Sequence, residues 1–284
     1  MSRIVYLNGE WLPEADAKVS IFDRGFMFAD AIYEVTGVVG GKLIEYEGHS
    51  ARLQRSTAEL GITCPLSPEQ LLEVHREIVR RNDLKEGLIY LQISRGTADR
   101  DFAYPVDPTP TLTLFTQAKA VLDNPRVKTG ISVALVPDLR WGRRDIKTVQ
   151  LLYPSMAKME AAAMGADDAW LVENGFVTEA SSATAHIITK NGTLITRQLS
   201  HAILHGITRA SVLDIAKEAG IAYEEHAFTP EEALDAAEAF ITSATNFVLP
   251  VVAIDGKAIG DGKPGPLTLK LRQLYVKQKM ASAI

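Results

Sequence analysis

The sequence predicts a two-domain α+β protein, and three observations lead to this fold class. The chain has 284 residues, of which 46% are hydrophobic and 23% charged, which is typical of a globular protein with one large or two medium domains. Strand and helix patterns are mixed without strict β-α-β alternation, which favours α+β over a doubly wound sheet. Residues 119–132 have the turn-rich, charged composition of a linker, which predicts a small domain at 1–118 and a large domain at 133–284.

The first half of the chain alternates strand and helix signals. An Asn8-Gly9 dipeptide between β-rich runs indicates a hairpin, and Ser67 followed by Pro68 is typical of a helix start. In chain order, the predicted elements are hairpins at 4–13 and 31–49, helices at 47–62 and 67–84, and paired strands at 88–96 and 111–118 joined by a loop.

The pattern restarts after the linker. Asn174 and Asn191 each precede a glycine between β-rich runs, which indicates two more hairpins. In chain order, the predicted elements are a strand at 131–140, an alanine-rich helix at 152–166, hairpins at 168–180 and 185–197, a helix at 206–221, and a helix-strand-loop-strand run at 231–256.

Composition excludes several classes of function. Thirty Lys and Arg against thirty-five Asp and Glu give a net charge of −5 without a basic run, so we expect no nucleic-acid partner. The single cysteine, Cys64, cannot form an internal disulfide, and the histidines show no metal-ligand spacing, so we expect no metal site. Neither a signal-type apolar segment nor a membrane-spanning run is present in the sequence. We therefore expect a cytoplasmic protein that does not insert into membranes.

Several short motifs lie in one characteristic order along nearly the whole chain. They are "FDRGFMFADAIYEV" (22–35), "EGHSARLQRS" (47–56), "SRGTADRDFAYP" (94–105), "DIKTVQLL" (145–152), "VTEASS" (177–182), "HGITR" (205–209) and "TSATN" (242–246). This set resembles the fold type IV pyridoxal-phosphate enzymes, the family of D-amino acid aminotransferases, branched-chain aminotransferases and aminodeoxychorismate lyase. It looks closest to the D-amino acid aminotransferase branch. The resemblance implies pyridoxal 5′-phosphate as the cofactor.

Lys147 lies at the start of an apolar run. From the local sequence alone it is either a surface lysine at a strand edge or a desolvated amine that reacts with a carbonyl. The resemblance implies the second, with Lys147 binding the cofactor covalently as a Schiff base and carrying the proton during catalysis. It likewise implies that Glu179 in "VTEASS" pairs with the cofactor ring nitrogen, a position that requires an anionic partner.

The resemblance also assigns a phosphate site. Arg52 matches the phosphate-binding arginine of the family, and a helix that opens at Ile207 and Thr208 would offer backbone N–H groups and a hydroxyl. Ser243 and Thr245 are the candidate hydroxyls of a second loop, and which of them meets the phosphate stays open. Leu204 is expected to pack on one face of the cofactor ring.

Substrate recognition is where the sequence departs from the family. Tyr33 and Arg100 match a tyrosine and an arginine that bind the substrate carboxylate, but Phe102 replaces the expected histidine. Arg100 alone still offers bidentate binding, whereas an apolar Phe102 would suit amines that lack a carboxylate. Alternatively, Phe102 packs the loop. Arg143 and Arg144 are interpreted as surface charges that flank a strand, with an anion contact as the alternative.

The resemblance therefore implies a ping-pong transaminase that moves an amino group from a D-amino acid, such as D-alanine, to a 2-oxo acid. An (R)-selective amine transaminase and a lyase similar to aminodeoxychorismate lyase are the alternatives. A non-catalytic cofactor-binding protein is disfavoured because both Lys147 and Glu179 are present. The family also implies a homodimer whose active sites are completed across subunits.

Overall fold

The computed structural model describes residues 2–284, and their contacts divide the chain into two compact units. Unit 1 contains the chain up to Val121 together with residues 146–150 and 282–284, and unit 2 contains residues 122–145 and 151–281. No helix formed by the described residues is both long and apolar enough to cross a bilayer.

Unit 1 is built on a six-stranded antiparallel sheet with the strand order β2-β1-β6-β5-β3-β4. Its elements are β1 (Ile4–Leu7), β2 (Glu10–Pro13), α1 (Arg24–Phe28), β3 (Ala31–Val39), β4 (Lys42–Ile44), α2 (Tyr46–Leu60), α3 (Pro68–Arg81), β5 (Glu86–Ser94) and β6 (Thr111–Ala118).

Local chemistry accounts for the elements of unit 1 that the sequence predicts. Asn8 and Gly9 adopt φ values of 49° and 99°, the left-handed conformation that a tight hairpin turn requires. At the start of α3, the Ser67 hydroxyl accepts the Gln70 N–H and the Gln70 side chain accepts the Ser67 N–H, which forms a capping box. Alternate residues of β5 are fully buried, so the sheet has one apolar face toward the core.

Unit 2 contains a nine-stranded mixed sheet with the order β12-β11-β10-β13-β14-β7-β8-β9, in which β15 also pairs with β14. The pairs β14–β7, β7–β8 and β11–β12 are parallel. The elements are α4 (Arg126–Thr129), β7 (Ile131–Pro137), α5 (Leu152–Ala163), β8 (Asp168–Glu173), β9 (Phe176–Ala180), β10 (Thr184–Ile188), β11 (Leu194–Thr196), α6 (Ile207–Glu218), β12 (Tyr223–Glu225), α7 (Pro230–Asp235), β13 (Glu238–Ser243), β14 (Phe247–Ile254), β15 (Lys257–Ala258) and α8 (Pro266–Ala281).

Small side chains hold α5 against this sheet. Ala157 and Ala161 are fully buried in a cluster with residues of β7 and β8. Because alanine has no side chain beyond Cβ, the helix backbone can approach the strands closely. The alanine-rich composition that predicts this helix therefore also explains how it packs.

The predicted fold class and all four predicted hairpins are present, and the structure adds elements that the sequence analysis does not assign. These are the short helices α1 and α4, the strands β12 and β15, and the C-terminal helix α8. The bounds of the predicted domains and linker stay a prediction. By their contacts, residues 146–150 and 282–284 belong to unit 1, although they lie outside the predicted small domain. Residues 146–150 hydrogen-bond to β3, and Ile284 pairs with Leu43.

Candidate active site

Residues 146–150 form a short extended segment beside β3. The Tyr33 N–H donates to the Lys147 carbonyl at 2.9 Å, and the Val149 N–H donates to the Ala31 carbonyl at 3.1 Å. These bonds fix the backbone of the predicted reactive lysine to the strand that carries the predicted substrate tyrosine. Unit 1 thus brings together two residues that lie in widely separated motifs.

The Lys147 amine lies over an aromatic ring. Its Nζ is 4.1 Å from the centroid of the Tyr33 ring, and the half-buried side chain is partly shielded from water. The Tyr33 ring stacks on Tyr90 at 5.5 Å, and Tyr90 stacks on Phe115 at 4.8 Å, so the ring beneath the amine is held in place. Within residues 2–284, the structure records no ion pair between Lys147 and a carboxylate.

Arg52 of α2 belongs to a buried charge network in unit 1. Its Nε and Nη2 donate to the two carboxylate oxygens of Glu34 at 2.6 and 2.8 Å, and His49 Nδ1 is 2.8 Å from the same carboxylate. Burial by itself would raise the pKa of Glu34, but Arg52 and His49 outweigh it and hold that pKa well below its usual range. Glu34 is thus an anion that fixes the plane of the Arg52 guanidinium.

Glu179 is a buried carboxylate in β9 of unit 2. It accepts a hydrogen bond from Arg140 Nη1 at 2.7 Å and a backbone hydrogen bond from Leu204. Burial raises the pKa of Glu179, although Arg140 opposes the shift. Arg140 is itself held by a bidentate contact with Asp138, whose Oδ2 also accepts the Thr178 hydroxyl at 2.6 Å. The carboxylate therefore has a fixed direction and a cationic neighbour.

The N-terminus of α6 has the features of an anion site. The helix begins at Ile207 after Gly206, which has no side chain to cap the first N–H groups, and Thr208 is buried in the first turn. A Cβ at Gly206 would lie 2.9 Å from Thr184 Oγ1, so the close approach of the chain requires glycine there. The half-buried Leu204 comes immediately before this turn.

The second predicted hydroxyl loop connects β13 and β14. The Ser243 hydroxyl accepts the Asn246 N–H at 3.2 Å, which closes the loop, and Ser243 and Thr245 are both half-buried. The geometry of the loop is compatible with a hydroxyl cluster. Which of the two hydroxyls meets a phosphate stays a prediction.

The substrate loop at 97–110 places Arg100 and Phe102 at the surface of unit 1. Phe102 is 78% exposed, and its ring meets Phe28 of α1 edge-on at 5.7 Å. The alternative that Phe102 packs the loop stays a prediction.

The interpretation of Arg144 as a surface charge is wrong. The residue is buried and binds Glu173 through two hydrogen bonds of 2.7 and 2.9 Å. Arg143 pairs with Asp145 at 3.0 Å. His186 lies beside Thr242, with its Nε2 3.0 Å from the hydroxyl, and its ring stacks on Phe240, so it is a structural histidine.

Three residues that orient the predicted ones, namely Glu34, Arg140 and Asp138, were not predicted from the sequence. Glu34 follows Tyr33 directly in the motif "DAIYEV", and "PDLR" ends a strand with an acid and a base two residues apart. A charged residue in an otherwise apolar strand is the sequence signal that could have revealed these residues, because a buried charge must be paired.

A family model described as Amino-transferase class IV matches residues 31–254, which is most of the chain. Among curated proteins, a D-alanine aminotransferase of Bacillus licheniformis is 40% identical over 264 residues, with 93% of each chain covered. A D-alanine aminotransferase of Staphylococcus aureus strain MSSA476 is 36% identical over 276 residues, with 96% of each chain covered.

Solved structures share the architecture. The branched-chain amino acid aminotransferase of Escherichia coli has a TM-score of 0.91 at 21% identity, covering 98% of this chain and 95% of that one, and this likeness shows the fold alone. A T.th. branched-chain amino acid aminotransferase with pyridoxamine 5′-phosphate has a TM-score of 0.89 at 27% identity, covering 98% and 94%. Together with the family match, these relationships confirm the resemblance carried by the motifs. The chain therefore belongs to the class IV aminotransferases and is a pyridoxal-phosphate-dependent enzyme.

Proposed function

We propose that the enzyme transfers an amino group from a D-amino acid, such as D-alanine, to a 2-oxo acid in a ping-pong reaction. The observation that carries this proposal is the Lys147 amine, fixed over the Tyr33 ring without an ion-pair partner among residues 2–284. The curated relatives named D-alanine aminotransferase support the choice of donor.

The residues present fit pyridoxal phosphate. A reactive amine is provided by Lys147, a buried anion by Glu179, and an uncapped helix N-terminus by α6. When bound, the cofactor supplies an electron sink and the carbon that carries the amino group between the two half-reactions. Lys147 would hold it covalently and would then move the proton at the substrate α-carbon. Glu179 would present an oxygen to the ring nitrogen, and Arg140 favours the ionised form of Glu179 against the effect of burial.

Phosphate binding is assigned to hydrogen-bond donors of several elements, each described separately. Ile207 and Thr208 offer backbone N–H groups and a hydroxyl at a helix N-terminus, where the dipole favours an anion. Arg52 adds a guanidinium whose plane is set by Glu34. The remaining proposed contacts are the hydroxyls of Ser243 and Thr245 and the ring contact of Leu204.

The substrate carboxylate is assigned to Arg100 and Tyr33. A guanidinium binds a carboxylate through two parallel hydrogen bonds, which fixes both its position and its orientation. An alternative donor class, (R)-configured amines without a carboxylate, is favoured by one observation. Phe102 presents an exposed apolar ring where the family has a polar histidine.

A single-turnover half-reaction tests the donor assignment. Holoenzyme is mixed with D-alanine, L-leucine or (R)-1-phenylethylamine in parallel, and the visible absorbance of the bound cofactor and the keto product are followed. We expect rapid loss of the visible band with D-alanine and release of one equivalent of pyruvate. Reaction with (R)-1-phenylethylamine alone would transfer the assignment to amine donors, and a visible band that persists with all three donors would contradict transamination.

We also propose that the enzyme is a homodimer. An exposed apolar stripe on α5, formed by Leu152, Met156 and Met159, supports this proposal, because such side chains are commonly covered by a partner. Sedimentation velocity of Met159→Glu should show monomers at concentrations where the wild-type protein is dimeric. Leu269→Glu, which changes an exposed leucine of α8, is the matched control. A wild-type monomer would contradict the proposal.

A cytoplasmic location is part of the same proposal. The single, half-buried Cys64 needs no oxidising compartment, and the proposed 2-oxo acid acceptors are metabolites of the cell interior. Fractionation of cells that express the tagged chain should place the activity in the cytosolic fraction.

A further inference from the structure

Arginine and aromatic side chains of α1, of the residue that follows β5 and of the substrate loop contact one another in succession, and we call this set the arginine–aromatic ladder. It consists of Arg95, Tyr104, Arg24, Phe28, Arg100 and Phe102. At its buried end, Asp30 accepts hydrogen bonds from Arg24 Nε at 2.8 Å and from Arg95 Nε at 2.7 Å. The Tyr104 ring lies over both guanidinium groups, 3.6 Å from that of Arg95 and 5.5 Å from that of Arg24.

The ladder continues outward to the proposed carboxylate-binding arginine. The Arg24 guanidinium lies 4.5 Å from the Phe28 ring. The exposed Arg100 guanidinium lies 5.7 Å from the Phe28 ring and 5.5 Å from the Phe102 ring. Because these two rings also meet each other edge-on, Arg100 has an aromatic neighbour from α1 and another from its own loop.

The backbone on both sides of Phe102 is anchored to the buried end. Arg24 Nη1 donates to the Asp101 carbonyl at 2.7 Å and to the Ala103 carbonyl at 3.4 Å. The Ala103 N–H in turn donates to the Asp101 side chain at 3.1 Å. The backbone that carries the Phe102 ring is therefore anchored by Arg24, which is itself 3% exposed.

We infer that Phe28 and Phe102 are positioning residues that hold the Arg100 guanidinium ready for a substrate carboxylate. An exposed arginine samples many rotamers, and bidentate binding requires one of them, so unrestrained binding carries an entropic cost. Aromatic faces attract a guanidinium and reduce that freedom before the substrate arrives. Phe102 thus replaces a polar partner by a ring contact. The inference rests on the proposed role of Arg100 in carboxylate binding.

The test is propionate binding to the holoenzyme, measured by isothermal titration calorimetry, together with KM and kcat for D-alanine. Propionate carries the carboxylate of the substrate without its amino group. Phe102→Leu should raise the propionate Kd and the KM for D-alanine about two- to fivefold, the size of one exposed cation–π contact, with little change in kcat. Phe102→Tyr, which retains a ring, should restore both constants. Phe28→Leu should behave like Phe102→Leu.

Two variants separate this inference from the proposed function. Phe22→Leu, an exposed phenylalanine outside the ladder, should leave both constants unchanged, and Arg100→Leu should weaken propionate binding most. If Arg100→Leu weakens binding but Phe102→Leu matches Phe22→Leu, the positioning role is refuted while the role of Arg100 stands. If Arg100→Leu binds propionate like the wild type, both are refuted. Equal losses in Phe102→Leu and Phe102→Tyr would also contradict a role for the ring.

Discussion

The Glu34 carboxylate is the centre of the buried network around Arg52, so its replacement by glutamine should be costly. Glu34 is 3% exposed and accepts two hydrogen bonds from Arg52 and one from His49, at 2.6 to 2.8 Å. Glutamine has nearly the same shape but no charge. Its amide offers one acceptor oxygen and one donor nitrogen, so a donor of the network must face another donor.

The expected loss follows from the burial of the remaining cation. Removing one partner of a buried ion pair costs about 3–5 kcal/mol because the other charge stays desolvated. The amide oxygen of glutamine retains one hydrogen bond to Arg52, so we expect a loss near the lower end, about 3 kcal/mol.

The pH dependence of this loss has a defined sign. The pKa of Glu34 is lowered in the folded protein because Arg52 and His49 outweigh the effect of burial. A carboxyl with a depressed folded pKa contributes stability above its unfolded pKa of about 4.3, and loses it as the pH falls through the folded pKa. The difference between wild type and Glu34→Gln should therefore be complete at pH 7 and should shrink below about pH 4.

Pulsed hydrogen exchange during urea unfolding measures this difference locally, through peptides that cover α2. Glu77→Gln is the matched control, because Glu77 makes ion pairs with Arg80 and Arg81 on the exposed face of α3. It should leave the urea midpoint of α2 nearly unchanged. A Glu34→Gln variant whose α2 midpoint equals that of the control would refute the interpretation of Glu34 as a required counterion.

Three further predictions concern individual groups. Arg140→Met should move the acidic limb of kcat/KM to higher pH, because burial raises the pKa of Glu179 and the opposing cation is removed. Burial lowers the pKa of His75 to about 4, so the folded protein should lose up to about 3 kcal/mol as the pH falls from about 6.5 to 4, and urea midpoints of His75→Gln should lack this loss. Gly96→Ala should lower the melting temperature more than Gly9→Ala. Both glycines have φ near +100°, but of the two only Gly96 would have a Cβ 1.9 Å from a backbone carbonyl oxygen. Scanning calorimetry of the two variants measures the two melting temperatures.

Elements governed by neighbouring residues were predictable from the sequence. The Asn8-Gly9 turn and the capped start of α3 at Ser67 depend on chemistry within four residues, and both are present as expected. The helix that begins at Ile207 was predictable as well, because its pattern is also formed by neighbouring residues.

Contacts between distant residues were not predictable in the same way. Glu34 and Arg52 are 18 residues apart, and Arg140 and Glu179 are 39 apart, so no local pattern reports their pairing. The bonding of residues 146–150 to β3 joins segments more than one hundred residues apart. The motif resemblance predicts Lys147 and Glu179 as site residues, whereas the charges that pair with Arg52 and Glu179 are visible only in the fold.

Lys147 is the amine that we propose holds the cofactor. Borohydride reduction of the holoenzyme makes the lysine–cofactor linkage permanent, and peptide mass spectrometry then locates the added pyridoxyl group. We predict a single modified peptide, which contains Lys147. If the enzyme is first converted with D-alanine and then reduced, the same peptide should carry no pyridoxyl group. A pyridoxyl group on any other lysine, or none in enzyme that retains its visible absorbance, would contradict the account.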